Sequence, residues 1–172
     1  PGPGVGGHCI PLDPYYLAWK SKEYDLHTRF IELAGEINES MPYYVVAKLQ
    51  RLLNRRGRCL NGAEILILGV TYKADVGDPR ETPALKVMEL LQREGAVLTY
   101  ADPFAPVIEA AGRRYEAVHL TEDRLSRADG VVVLTAHSAF DYELIVRVAK
   151  LVFDTRNGTK QVAGRRDNVV YL

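Results

Sequence analysis

Four short apolar runs divide the second half of the chain and confine it to one class of fold. They are Ala63-Glu64-Ile65-Leu66-Ile67-Leu68-Gly69, Val97 to Tyr100, Gly130 to Leu134 and Leu151 to Asp154. The first, a short β-branched run ending in Gly, reads as a buried strand, and the other three read as strands. Helical segments stand between them. Thr82-Pro83 opens a helix that Gly95 closes, and shorter helices are expected over Glu122–Arg127 and Asp141–Val148. A further helix is expected near Val107, and a weak strand over Glu116–Val118. Strands alternating with helices at this spacing give βαβ units, hence an α/β fold with a doubly wound parallel sheet, Rossmann-like in kind.

The first 57 residues read differently. Asp13-Pro14 resembles a helix start, Asp as N-cap and Pro at the first helical position, with a short helix from Tyr15 to about Tyr24. From Thr28 the stripe Ile31, Ala34, Ile37, Met41, Val45, Leu49, Leu52 steps by three and four up to Gly57. Pro42 predicts a kink, or two abutting helices parted near Ser40. Polar flanks make this segment a spine that packs against something outside itself. The expected division is therefore 1–57, loop and helical spine, and 58–172, sheet domain.

Charge and cysteine content narrow the partners. Lys and Arg total 22 and Asp and Glu total 22, so there is no general attraction to nucleic acid or anionic lipid. No apolar run approaches the roughly 18 residues of a membrane span. Two cysteines, Cys9 and Cys59, are too few for a disulfide framework, and a reducing, cytoplasmic setting is expected. The chain opens inside a glycine-rich loop, Pro1-Gly2-Pro3-Gly4-Val5-Gly6-Gly7, and no signal peptide is expected. We expect a piece of a larger protein whose partner domain lies upstream.

Three constellations carry chemistry. Gly2-x-Gly4-x-x-Gly7 formally matches a dinucleotide fingerprint, but no strand precedes it. The glycines instead let backbone approach a ligand or a reactive side chain. Cys9 is that side chain: His8 adjoins it, Asp13 stands four residues on, and free N–H groups with a nearby helix start favour a thiolate. Cys59 lacks such a setting and reads as structural. His8, Cys9, His27, His119 and His137 show no ligand-pair spacing, so no metal site is expected. A Cys–His hydrolase would have to draft His119 or His137. The second constellation, Gly69 to Pro83, follows the first strand, where doubly wound folds bind ligands, and offers Lys73 and Arg80. The third, Asp154-Thr155-Arg156-Asn157-Gly158, follows another strand. Three cationic side chains at strand ends point to a diphosphate.

On these motifs the chain resembles the UDP-glucose/GDP-mannose dehydrogenase family. Gly6-Gly7-x-Cys9-x-x-x-Asp13 is similar to its active-site motif, Tyr72-Lys73-x-Asp75-x-x-Asp78-x-Arg80-Glu81 to its nucleotide-sugar loop, and Asp154-x-Arg156 to a further substrate contact. The wording from Gly7 to Pro14, with Trp19 and Thr28-Arg29-Phe30-Ile31-Glu32-Leu33, looks like the branch that oxidises UDP-N-acetylglucosamine. Leu12 stands where the glucose branch often has Lys. UDP-glucose and UDP-N-acetylmannosamine remain alternative substrates.

The resemblance implies oxidation of a UDP-sugar C6 alcohol to a carboxylate with two NAD+, through a thioester on Cys9 assisted by Asp13. It assigns Gly6, Gly7, Tyr72, Lys73 and Arg156 to the UDP-sugar and Arg80 to the NAD pyrophosphate. It further implies a UDP-binding sheet domain, a homodimer through the long helix, and a separate N-terminal NAD-binding domain without which this chain is inactive. The competing expectations are a non-catalytic nucleotide-binding or dimerisation module and a Cys-dependent hydrolase.

Overall fold

A computed structural model describes residues 2–164 and 166–172; Pro1 of the glycine-rich opening lies outside them. The loop leads into α1 (Asp13–Ser21), a 3-10 turn (Lys22–Tyr24) and the long α2 (Arg29–Asn54). Then follow β1 (Glu64–Leu68), α3 (Pro83–Arg93), β2 (Val97–Ala101), a hairpin of β3 (Val107–Ala110) and β4 (Arg113–Glu116), α4 (Glu122–Arg127), β5 (Gly130–Val133), α5 (Tyr142–Val148), β6 (Val152–Asp154) and β7 (Val169–Tyr171). The main sheet has the order β2-β1-β5-β6-β7 with every neighbour parallel. The chain moves outward from β1 to β2, then returns past β1 to β5. That reversal opens a crevice beyond the carboxyl ends of β1 and β5, the place where such sheets bind ligands.

Strand residues alternate between two cores. Ile65, Ile67, Val132 and Phe153 face a layer made by α2, α3 and the hairpin. Leu66, Leu68, Val131, Val133 and Val152 face α4 and α5. Caps fix the helix starts: the Thr82 hydroxyl accepts the Ala84 N–H, and the Asp141 carboxylate the Leu144 N–H.

Four expectations require correction. First, α1 begins at Asp13, so Leu12 is the N-cap and no side chain caps it; Asp13 instead places its charge in the first turn. Second, α2 is one helix with Pro42 inside it, not two parted near Ser40. Pro42 and its neighbours Val45 and Val46 are buried, and this packing offsets the roughly 3 kcal/mol that an interior proline costs. Third, Val107 starts a strand, not a helix. Ala111 (φ 50°) and Gly112 (φ 71°) are both left-handed and make the two-residue turn of a hairpin. The expected strand at Glu116–Val118 is therefore displaced toward its N-terminal side. Fourth, β7 adds a fifth strand beyond those read from sequence.

The long helix divides its allegiance. Val45, Leu49, Leu52 and Leu53 lie in the sheet's own core, Leu49 and Val45 with no exposed surface. Phe30, Leu33 and Ile37 in the first half stand exposed, Phe30 at 88%. The second half of the spine thus packs inside the sheet's core, while the first half meets α1 through Tyr15 and Lys22 and leaves its Phe30, Leu33 and Ile37 side to solvent.

Candidate functional site

The crevice between β1 and β5 is closed at its base by a buried polar knot. The His137 ring is fully buried and bridges three loops: Nδ1 accepts the Asp75 N–H at 3.0 Å, and Nε2 stands 3.0 Å from Asp102 Oδ2 and 3.2 Å from Thr71 Oγ1. The acceptor role of Nδ1 places the ring proton on Nε2. Asp102 also accepts N–H groups from Val70, Phe104 and Ala105. Burial pushes its carboxyl pKa up, but the hydrogen bonds from His137, Val70 and Phe104 outweigh burial and hold it below the ordinary value. Phe104 and Phe140 flank the imidazole at ring distances of 5.0 and 5.5 Å.

Above this base the glycine-rich opening docks across the crevice. The Val5 N–H donates to Asn38 Oδ1 at 2.7 Å, and Gly4 approaches the Asn38 carbonyl, which Pro42 leaves without its helical N–H partner. Two glycines are required here. A Cβ on Gly6 would collide with the Glu81 carbonyl and stand 3.0 Å from Tyr72 Cβ; one on Gly7, at φ +94°, would stand 3.1 Å from the Tyr72 ring. At the loop's other end a Cβ on Gly2 would meet Arg156 Nη1 at 2.5 Å. Gly6, Gly7, Tyr72 and Arg156, which lie far apart in sequence, are thus brought to one loop.

The cations differ in commitment. Among the described residues Lys73 and Arg156 are exposed and their side chains make no ion pair or hydrogen bond. Arg156 springs from a turn organised by buried Asp154, whose carboxylate accepts the N–H groups of Arg156, Gly158 and Thr159. Arg80 forks onto Asp78, Nε to Oδ1 at 2.9 Å and Nη2 to Oδ2 at 2.8 Å. That hydrogen-bonded guanidinium holds the half-buried Asp78 carboxyl well below the usual carboxylate range.

Cys9 is exposed, in the turn that starts α1. Its carbonyl accepts the Leu12 and Asp13 N–H groups at 3.0 and 2.8 Å, which fixes Asp13 one turn away through the main chain. Cys59 is exposed as well, its thiol donating to the Asn61 carbonyl. Among the described residues no three His, Cys, Asp or Glu side chains gather to hold a metal ion. The ring nitrogens of His137, which a Cys–His hydrolase could draft, are taken by Asp102, Thr71 and Asp75, and His119 is exposed after the hairpin. Sequence reasoning missed the Asp102–His137 pair and the Asn38 dock. Asp102 ending a strand before Pro103 was the one local sign of the first.

Comparison with known proteins gives the context. Residues 66–161 match the UDP binding domain of the UDP-glucose/GDP-mannose dehydrogenase family, and residues 1–40 match its central domain. Over 165 residues the chain is 36% identical to a UDP-N-acetyl-D-mannosamine dehydrogenase of Methanococcus maripaludis, covering 91% of this chain and 36% of that one. A UDP-N-acetyl-D-glucosamine 6-dehydrogenase of Salmonella typhi is 32% identical over 136 residues, covering 79% of this chain and 32% of the relative. The solved UDP-D-ManNAc dehydrogenase of Pyrococcus horikoshii superposes with a TM-score of 0.78 at 28% identity, covering 99% of this chain and 38% of that structure. The chain therefore spans about a third of the length of these relatives.

Proposed function

Because the chain belongs to the UDP-glucose/GDP-mannose dehydrogenase family, we propose that it forms the UDP-sugar-binding and thiol-bearing part of an NAD-dependent UDP-sugar 6-dehydrogenase. The observation that carries this reading is the docking of the cysteine loop on the nucleotide-loop residues: Gly7 on the Tyr72 ring and Gly2 on Arg156. One loop thereby joins the proposed nucleophile to the proposed UDP contacts. Residues 58–172 bind the nucleotide, Lys73 and Arg156 neutralising the diphosphate and Gly6, Gly7 and Tyr72 shaping the wall beside it. Residues 1–57 present Cys9.

Cys9 makes the sugar's C6 aldehyde tetrahedral by forming a C–S bond, which turns a poor hydride donor into a good one. It then holds the acyl group as a thioester until water replaces sulfur and frees the carboxylate and the thiolate. Asp13 orients that water or offsets charge around it. A bound NAD would supply the hydride acceptor for each oxidation. Little of an NAD site fits on this chain. Gly2-x-Gly4-x-x-Gly7 packs on Arg156, Pro83 and Tyr72 instead of opening a strand-to-helix turn, so Arg80, exposed and steadied by Asp78, is the contribution this chain makes. An additional NAD-binding domain in the whole protein supplies the rest, and this chain alone is inactive.

The preferred substrate is a UDP-N-acetylhexosamine. The mannosamine relative at 36% identity stands above the glucosamine relative at 32%, so we place UDP-N-acetylmannosamine ahead of the glucosamine epimer expected from the cysteine-loop wording. The exposed first half of α2 carries the contact between two copies in a cytoplasmic homodimer. The test is NADH formed per sugar consumed by the whole protein with each epimer, repeated on Cys9→Ala. Two NADH per sugar, stalled by the substitution, is the expected result. One NADH with an indifferent Cys9 overturns the thioester reading.

A further inference from the structure

The segment from Thr71 to Asp75 is neither helix nor strand, yet its main chain is held at every second residue. The Thr71 carbonyl accepts the Thr135 hydroxyl, the Lys73 carbonyl accepts the Thr71 hydroxyl at 3.0 Å, and the Asp75 N–H donates to His137 Nδ1 at 3.0 Å. Asp75 returns a bond across the same gap, its Oδ1 accepting the Ser138 N–H at 2.9 Å. Lys73 lies in the middle of this clamp with its own side chain unbound. A rigid base under a free ammonium group is what an anion site needs, because the cost of ordering the loop is met before the ligand arrives.

The geometry points to His137 as a positioning residue for the nucleotide loop. Its neutral imidazole, anchored to Asp102 through Nε2–H, presents Nδ1 to the Asp75 N–H and so sets where Tyr72 and Lys73 stand over the crevice. The inference rests on the reading of that loop as the UDP site. The two ring nitrogens have separable duties, one toward the loop and one toward the buried carboxylate. Conservative variants separate them. Gln carries a donor at the place of Nε2 and loses the acceptor toward Asp75. Asn carries an acceptor at the place of Nδ1 and loses the donor toward Asp102.

The experiment is calorimetric titration of UDP into this chain, with melting curves and amide exchange at Asp75, for the wild type, Lys73→Ala, His137→Gln and His137→Asn. Loss of one hydrogen bond to the loop corresponds to about a fivefold to tenfold weaker Kd. His137→Gln is expected to show that loss together with faster exchange of the Asp75 amide. His137→Asn is expected to bind within about twofold of wild type yet to melt lower than His137→Gln, since it takes the one side-chain donor from a buried carboxylate. A merely structural histidine makes affinity follow melting temperature, and that order overturns the proposal. If the wild type binds UDP, Lys73→Ala does not, and both His137 variants bind alike, the positioning role falls while the nucleotide site stands. If the wild type and Lys73→Ala alike fail to bind, both fall.

Discussion

Truncating α2 at matched positions in its two halves tests whether the helix belongs to the sheet's core. Leu49 is fully buried among Val45, Leu53, Ile65 and Val132, and its Cδ1 lies close to the space beside Gly130. Leu49→Ala removes that side chain from a filled layer, and such truncations cost about 2 to 5 kcal/mol. For a domain of this size each kcal/mol corresponds to about 2 to 4 °C in Tm, so a fall of about 5 to 15 °C is expected. Phe30, 88% exposed near the other end of the same helix, loses almost no intramolecular burial on truncation. Phe30→Ala in the monomeric chain is expected to move the midpoint by less than about 2 °C. Thermal denaturation followed by circular dichroism, at a concentration where light scattering shows monomer, reads both. Equal shifts for the two variants would refute the assignment of the second half of α2 to the core.

Gly6→Ala forces a methyl group into the Glu81 carbonyl and the Tyr72 side chain. The cysteine loop must then lift off, which shows as faster exchange of the Val5 amide and weaker UDP binding. Gly2→Ala meets only the movable end of Arg156 and leaves Val5 protected. The pKa of Asp102 is lower in the fold than in the unfolded chain, so its ionised form stabilises fully above about pH 4 and that contribution fades as pH falls through the folded value. Asp102→Asn should therefore be less stable at pH 7 and lose less of its remaining stability between pH 5 and pH 3, measured by urea denaturation; an unchanged acid slope would count against the knot. Thr82→Ala removes the cap on the Ala84 N–H and should cost about 1 kcal/mol, read as a Tm drop of a few degrees.

What could be read from sequence was what short-range chemistry specifies. The uninterrupted runs at Ile65–Leu68 and Val131–Val133 are strands because nothing polar interrupts them, and the Thr82-Pro83 and Asp141 starts carry their own caps. The hairpin was lost because Val107-Ile108-Glu109-Ala110-Ala111 has the composition of a helix, and the left-handed pair at Ala111-Gly112 decides only in context. β7 is too short to announce itself and exists because β6 offers an edge. The motif residues around Cys9, Lys73 and Arg156 were legible as a pattern. Their assembly was not: the His137 bonds to Thr71, Asp75 and Asp102 span 66, 62 and 35 residues, and no local pattern encodes such distances.

The undivided course of α2 has a mechanical consequence. Its second half is clamped in the core, while its first half is held by α1 and the cysteine loop, through Tyr15 on Glu39, Lys22 on Glu32 and Val5 on Asn38, so the helix is a lever with Pro42 near the root. The missing hydrogen bond at that root, opposite the Asn38 carbonyl, makes it the most compliant point of the beam. The arm from Pro42 to Arg29 is about 20 Å long, so a bend of about 5° displaces its tip by about 2 Å. Because Asn38 grips the cysteine loop through Val5 and Glu39 meets Tyr15 of α1, movement of the exposed arm is coupled to the thiol-bearing loop at its own surface.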